Sequence, residues 1–410
     1  MAPANEFDFD RGLWARPSGD PGMKLCIAGD WAPVRAFARI LEDDPEKIYG
    51  DLLPGIRSAD LSVVNLNAPL SASGQAAIKS GPVFKGKKKH AQALKAVPFT
   101  AATLANGHVM DYGPRAFDET LKALDQAGIR RTGAGRDLTE AAAPLVLEKN
   151  CLKIGIVNFS EAEDLTEAGP DKPGVAGWDL DGAERRIQRL KGKVNCILAI
   201  AHCGIEYIPF PPPYVNQAFE RMADAGADIV IGHHPQVPQG VRFYNKIPLF
   251  FSLGNFVFFQ PTDLKFRKLG YTLDIGLDKE GLASVAVKPY AIGDTGLELL
   301  KEKAKETFFR SFREISLPLQ SRATLEQAWH AFLCYYGKKG FLNEIETIII
   351  RIKTRPRKGA AMMRNRLTSP RHRHHWKDMM TGIMEGSLKD PSEWAERIIK
   401  QYYTDTGHLH

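Results

Sequence analysis

The segment GADIVIGHHPQVPQG, residues 226–240, decides the fold reading. Its apolar run Ile229–Ile231 is short, rich in β-branched residues, and stops abruptly at Gly232-His233-His234-Pro235-Gln236. Short apolar runs bounded by turn residues read as strands buried on both faces. Working outward, the same pattern recurs. Lys24–Ala28 ends in Gly29-Asp30, Leu61–Val64 in Asn65-Leu66-Asn67, and Phe99–Leu104 in Asn106-Gly107-His108. Cys196–Ala201 ends in His202-Cys203-Gly204, and Leu249–Ser252 in Leu253-Gly254-Asn255-Phe256. Helical patterns at 34–42, 115–127 and 214–225 lie between several of these runs. Such alternation predicts an α/β fold with a largely parallel core. The runs around 271–277 and 283–291 have no helix between them and are expected to pair antiparallel.

Each polar ending follows a predicted strand at its C-terminal end, the edge where ligand sites form in open α/β sheets. Together the endings offer one carboxylate (Asp30), three carboxamides (Asn67, Asn106, Gln236) and four imidazoles (His108, His202, His233, His234). Carboxylate oxygen with neutral imidazole suits Mn²⁺, Fe²⁺ or Zn²⁺. A cation held there polarises a phosphoryl or carbonyl oxygen. Plainer readings exist for each residue taken singly. Asp30 after a glycine also caps turns, Asn106-Gly107 is a common turn dipeptide, and His202 also reads as a hydrogen-bonded core residue. Asp111, Tyr112 and Gly113 read as loop-shaping residues, Lys85 in FKGKKKH as part of a solvated basic loop, and Cys203 as a small buried thiol. There is no GxSxG elbow and no Walker-type phosphate loop.

The chain has 410 residues, 44% of them hydrophobic, enough for one large domain and a smaller one. A net charge of +7 favours anionic partners but is too mild to nominate nucleic acid. The five cysteines, Cys26, Cys151, Cys196, Cys203 and Cys334, form no CxxC pair, which argues against a disulfide framework or zinc knuckle and for reduced buried thiols. The start MAPANEFDFDRGLW has no basic-then-apolar leader pattern, and no apolar run reaches the ~18 residues of a membrane span, so a cytoplasmic location is expected. Residues 1–22 read as a loose tail, 23–295 as the main domain and 296–410 as a basic helical region. Within the last, helices are expected at 295–315, 323–336 and 340–353. The stretch Arg351–Lys377, with His372, His374 and His375, reads as a surface basic patch suited to an acidic partner or a membrane surface.

The set GD…NLN…ANGHVMDYG…AHCGIEY…GADIVIGHHPQVPQG…FFSLGNFVF resembles the CapA family of poly-γ-glutamate capsule-biosynthesis proteins, within the calcineurin-like metallophosphoesterase superfamily, over about residues 23–292. The resemblance implies a metallophosphoesterase-like two-sheet sandwich flanked by helices, here with a C-terminal helical extension, and a two-metal site at the strand ends. Asp30 matches the first aspartate ligand, Asn106 the asparagine ligand, and His202 and His234 two histidine ligands. His108 matches the histidine that acts on the leaving group, and Glu206 with Tyr207 a pair of unassigned role. His233 and Asn255 are candidates for substrate contact. The family pattern NLE is here Asn65-Leu66-Asn67, and GxHPH is here Gly232-His233-His234-Pro235-Gln236. Asn67 and Gln236 therefore bring no charge to the metal shell, and the second metal position is expected to be weakened. The implied function is capsule or other cell-surface polymer biosynthesis by a metal-dependent phosphoesterase-like hydrolase, using one or two Mn, Fe or Zn ions on an anionic polymer or phosphorylated substrate. The alternative is a non-catalytic polymer-binding or assembly component of the capsule-biosynthesis machinery.

Overall fold

The computed structural model describes residues 7–17 and 21–407. The strands are β1 (Leu13–Ala15), β2 (Met23–Trp31), β3 (Leu61–Leu66), β4 (Ala101–Thr103), β5 (Arg130–Thr132), β6 (Ala134–Gly135), β7 (Leu145–Lys149) and β8 (Leu152–Ser160). They continue with β9 (Gly174–Val175), β10 (Cys196–His202), β11 (Ile229–His233), β12 (Val241–Tyr244), β13 (Ile247–Phe250), β14 (Leu269–Asp278), β15 (Gly281–Ile292) and β16 (Leu297–Leu299). One sheet has the order β1-β15-β14-β2-β3-β4-β5, with β16 also on β15; the other runs β12-β13-β11-β10-β8-β7, and β6 pairs with β9 separately. In the first sheet β2 to β5 are mutually parallel, while β14, β15 and β1 complete it antiparallel. In the second, β8, β10, β11 and β13 are parallel between two antiparallel edge strands. Parallel strands point their C-terminal ends the same way, which gathers the polar endings of each sheet along one edge.

The two sheets share one core. The Tyr271 hydroxyl on β14 donates to the Gln239 carbonyl across the layers at 3.0 Å, and its ring lies 6.3 Å from that of Phe250 on β13. Near β4, Ala105 N–H donates to Asn158 Oδ1 of β8 at 2.9 Å. Helices α1 (Ala36–Asp43), α2 (Leu53–Ser58), α3 (His90–Ala96) and α4 (Gly113–Ala127) accompany the first sheet. The short α5 (Leu138–Ala142) follows, and α6 (Leu180–Leu190) with α7 (Pro213–Ala225) packs on the second sheet. The spacing of Phe117, Leu121 and Leu124 shows why α4 forms: all three are buried on one face, and Gly128 closes the helix in the left-handed conformation at φ 73°.

Two boundaries differ from the sequence reading. The supposed loose tail is partly tied down, because Leu13 to Ala15 adds an edge strand to β15. The first sheet also runs past residue 295, since Leu297–Leu299 pairs back on β15.

The C-terminal region is helical: α8 (Glu302–Ser316), α9 (Arg322–Thr354), α10 (Pro356–Thr368), α11 (Pro370–Glu385) and α12 (Glu393–Thr404). The two helices expected at 323–336 and 340–353 are both present within α9, separated by a kink at Gly337, whose φ of 64° and ψ of 167° leave the helical region. A residue without Cβ takes that conformation at little steric cost. The region also packs against the sheets rather than standing off them. The Tyr402 hydroxyl donates to the Pro238 carbonyl at 3.2 Å, and the Tyr402 ring stacks on Phe266 at 3.9 Å.

The expected surface patch around RHRHH is largely interior. Arg371 and His375 are buried, and His374 stacks on Tyr214 with ring centroids 4.5 Å apart. A helix turns its first residues inward when one face is needed for packing, and the charge run conceals that face. Burial pushes the His375 imidazole down to about 4, with Glu344 opposing the shift and Arg366 adding to it. The fold thus holds the neutral ring, so the stability it contributes is complete above the ordinary value of 6.5 and drains as pH falls toward 4. Replacing His375 with phenylalanine should flatten that acid loss by about 2–3 kcal/mol, measured by urea unfolding at neutral and mildly acidic pH. Identical pH slopes in the two proteins would assign the loss to other buried imidazoles.

Candidate functional site

The site is built where the C-terminal ends of both sheets meet. On β2 the register shifts between Ile27 and Asp30, and this irregularity re-aims Asp30. Gly29 allows it, because a Cβ there would lie 2.5 Å from the Gly254 carbonyl oxygen. Asp30 bridges in parallel to Asn255, and Phe256 N–H donates to the Asp30 carbonyl at 3.1 Å. Asn65 donates from Nδ2 to Asp30 Oδ1 at 2.6 Å. Burial lifts the Asp30 carboxyl to about 7, with the Asn65 hydrogen bond offsetting part of the rise.

His233 lies on the other sheet with Nδ1 3.7 Å from Asp30 Oδ1. The sequence reading assigns it to substrate contact rather than ligation, yet it is the imidazole that faces Asp30. His202 pairs with His233 across β10 and β11, and the His202 ring sits 4.8 Å from that of His234. Burial drives the His233 ring down to about 3. Burial and then the neighbouring His234 hold His202 well below the ordinary imidazole range. Both rings are therefore neutral, the form that donates a lone pair to a cation.

Asp30 Oδ2, Asn67 Oδ1, His202 Nε2, His233 Nδ1 and Asn255 Oδ1 are buried and have no hydrogen-bond partner among the described residues. Buried polar atoms are nearly always paired, so orphans concentrated at the strand ends need an occupant. Carboxylate, amide and imidazole acceptors are a donor set that fits one cation of borderline hardness. They do not present a ready cage, since no three His, Cys, Asp or Glu side chains are brought to metal-holding separations among the described residues. Any shell must include the amides of Asn67 and Asn255.

The other expected ligands are engaged elsewhere. Asn106 Oδ1 accepts from the backbone N–H groups of His108 and Val109, each at 3.0 Å, and its Nδ2 donates to the Leu66 carbonyl at 2.8 Å. Gln236 donates to Glu206 at 2.6 Å, and its oxygen accepts from Tyr207 and Gln260. This gives Glu206 and Tyr207 a role in holding the 232–240 loop. That loop is strained, with His234 at φ 102° and Gln236 at φ 61°, a region costly for side chains with a Cβ.

His108 projects from the loop after β4. Its Nδ1 donates to Asp111 Oδ2 at 2.7 Å, and Lys79 Nζ pairs with Asp111 Oδ1 at 2.8 Å. Asp111 also accepts from Phe84 N–H at 2.7 Å, so it orients the imidazole as well as shaping the loop. Lys85 lies over the Tyr112 ring at 4.2 Å rather than in the site. Cys203 is buried, and burial together with Glu161 raises its thiol well above the ordinary range, which removes it as a nucleophile. Of the remaining free thiols, Cys26 and Cys196 are buried as expected, but Cys151 is exposed and Cys334 only half-buried.

Four residues at the site escaped the sequence reading: Asn65, Lys79, Glu163 and Arg371. Arg371, in the first turn of α11, donates from Nη1 to His234 Nε2 and from Nη2 to Glu163 Oε2, the latter at 2.7 Å. Burial opposes the charge on Glu163, but Arg371 and then Lys79 outweigh it and hold the carboxyl below its usual range. On Arg371 the desolvation is likewise outweighed, first by Glu163, so the guanidinium stays charged. A signal for Glu163 was present: the run LKIGIVNF ends in Ser160-Glu161-Ala162-Glu163-Asp164, a polar ending like the others.

With this geometry in place, the comparisons with known proteins are specific. A family model described as bacterial capsule synthesis protein PGA_cap matches residues 24–260. The capsule biosynthesis protein CapA of Bacillus anthracis is 32% identical over 182 residues, 43% of this chain and 44% of that protein. The PGA biosynthesis protein CapA of Bacillus subtilis (strain 168) is 28% identical over 260 residues, 60% of this chain and 68% of that protein. The chain thus spans less than half the length of the first of these relatives. Among solved structures, a 5′-nucleotidase precursor from Thermus thermophilus aligns at 14% identity and a TM-score of 0.43, covering 71% of this chain and 57% of that one. A likeness at that level says nothing about chemistry. The family match covers more than half of the chain and every strand-end residue from Asp30 to Asn255, so the chain belongs to the bacterial capsule synthesis protein family described as PGA_cap.

Proposed function

We propose that this protein acts in capsule or other cell-surface polymer biosynthesis as a metal-dependent hydrolase of the phosphoesterase type, on an anionic polymer or phosphorylated substrate. The observation that carries the reading is the group of orphaned acceptors Asp30 Oδ2, Asn67 Oδ1, His202 Nε2, His233 Nδ1 and Asn255 Oδ1. Asp30 and His233, with Oδ1 and Nδ1 3.7 Å apart, would hold a Mn, Fe or Zn ion, with the amides of Asn67 and Asn255 completing the shell. Such an ion supplies Lewis acidity toward a phosphoryl or carbonyl oxygen and acidifies water. His108, fixed through Nδ1 by Asp111, would protonate the leaving oxygen from Nε2 as the imidazolium, which carries a proton on both ring nitrogens. The relatives' names supply the polymer, and the net charge of +7 suits an anionic one. A cytoplasmic position at the membrane periphery belongs to the same reading. Its support is the exposed Ile349, Ile350 and Ile352 interleaved with exposed Arg351 and Lys353 on α9. No helix among the described residues is long and apolar enough to cross a membrane.

The test is metal content after purification, followed by phosphodiesterase and phosphomonoesterase assays with added Mn²⁺. Asp30→Ala should lose the ion and reduce any turnover by at least about 100-fold, since one ligand carries the only carboxylate of the shell. A protein that takes up no ion and turns over nothing under these conditions would sink the enzymatic reading. A second reading, a polymer-binding or assembly component without turnover, is favoured by the amides at Asn67 and Gln236. Polymer binding that survives Asp30→Ala would support it.

A further inference from the structure

The acceptor atoms at the strand ends divide into two groups. Asp30 Oδ2, His202 Nε2 and His233 Nδ1 have no partner among the described residues, whereas His234 Nε2 and Glu163 Oε2 both accept from Arg371. We propose that Arg371 is a built-in cation: its guanidinium occupies the Glu163–His234 half of the site, leaving the other half to a single divalent ion. This rests on the metal reading above and refines it.

Three observations support the assignment. First, the arginine is placed rather than stray. It is 7% exposed, its Nε donates to His372 Nε2 at 3.2 Å, and its helix is pinned on several sides. Trp376 Nε1 donates to Glu344 at 2.9 Å, Trp329 Nε1 donates to Asp378 at 2.9 Å, and His374 stacks on Tyr214. A buried guanidinium needs paired negative charge, and Glu163 lies in a bond to it while Glu206 adds to the favourable field. Second, one lone pair cannot serve two cations. His234 Nε2 accepts from the guanidinium, so it is not free for an ion while α11 is docked. Third, the charge balance agrees. Asn67 stands where a carboxylate was expected, so the site carries one negative charge fewer to hold a second dication, and one guanidinium asks for less. Arg371 also lies outside residues 24–260, so the cation comes from the C-terminal region rather than from the part shared with the family.

The experiment is a titration of the metal-stripped full-length protein with Mn²⁺ and Zn²⁺ by calorimetry, with bound ion counted after dialysis. One equivalent is expected for the unaltered protein and two for Arg371→Ala. His234→Ala in the otherwise unaltered chain should keep its one equivalent within about 3-fold in affinity, whereas the Arg371→Ala, His234→Ala double variant should lose the second. Two equivalents in the unaltered protein would overturn the inference and leave the metal reading intact. So would loss of the single equivalent in His234→Ala, a result that stands even if Arg371→Ala fails to fold. No binding by any of the proteins would instead overturn the metal reading itself.

Discussion

Replacing Lys79 with methionine should cost about 3–5 kcal/mol of folding stability, the range for breaking one partner of a buried ion pair. Lys79 and Asp111 side chains are only 5% and 1% exposed, so water does not compensate the orphaned carboxylate. Lys79 Nζ also donates to the Gly107 carbonyl at 2.6 Å, and that bond fixes the turn just before His108. Chemical denaturation would read the loss, and adding Asp111→Asn should recover part of it, because the second change removes the uncompensated charge. Lys358 of α10 donates to the backbone carbonyls of Lys79 and Gly81 at 2.8 and 2.9 Å, bonds that the substitution itself leaves in place. A loss under about 1 kcal/mol would place the pair with ordinary solvated surface bridges.

Gly232→Ala should be nearly as damaging, at about 3 kcal/mol, the upper part of the range for overpacking. A Cβ at Gly232 would stand 2.0 Å from the Phe251 carbonyl oxygen and 2.7 Å from its carbon. Those are backbone atoms just after β13, whose pairing of Val230 with Leu249 and Ile231 with Phe250 sets the spacing of the second sheet. Relief of the clash must push β11 and β13 apart or rotate β11, and either moves His233 and His234. Thermal unfolding and metal affinity should therefore fall together. Gly55→Ala is the control: nothing lies within 4 Å of a Cβ there, and the position is inside α2, so it should be neutral or slightly stabilising.

The strand ends were legible because the strands that carry them are buried on both faces. Runs such as KLCIA, LSVV and CILAIA are continuous in apolar character and stop sharply, a contrast visible without any partner strand. The neighbouring β8 was missed because Lys153, Gly155 and Asn158 interrupt its apolar character, although it lies beside β10 in the same parallel set. The direction of His233 was also out of reach. Alternation along a strand places it opposite its neighbours but cannot say that the first sheet brings Asp30 to that face. Arg371 was the hardest to read. It lies 137 positions from His234 in a run that looks solvated, and nothing local distinguishes a buried arginine from an exposed one. Tertiary pairing decided that.

The order of the chain gives the α11 contact a consequence in time. Both sheets are complete at Leu299, and Arg371 follows 72 residues later, by subtraction of the two positions. Domains fold largely as units during synthesis, which proceeds at about 5–20 residues per second, so the strand ends stand uncovered for roughly 4–14 s before the arginine exists. During that interval the nascent sheets meet the ions of their surroundings without competition from the chain's own cation. Which cation fills the Glu163–His234 half is then a matter of which arrives first, as well as of which binds tighter.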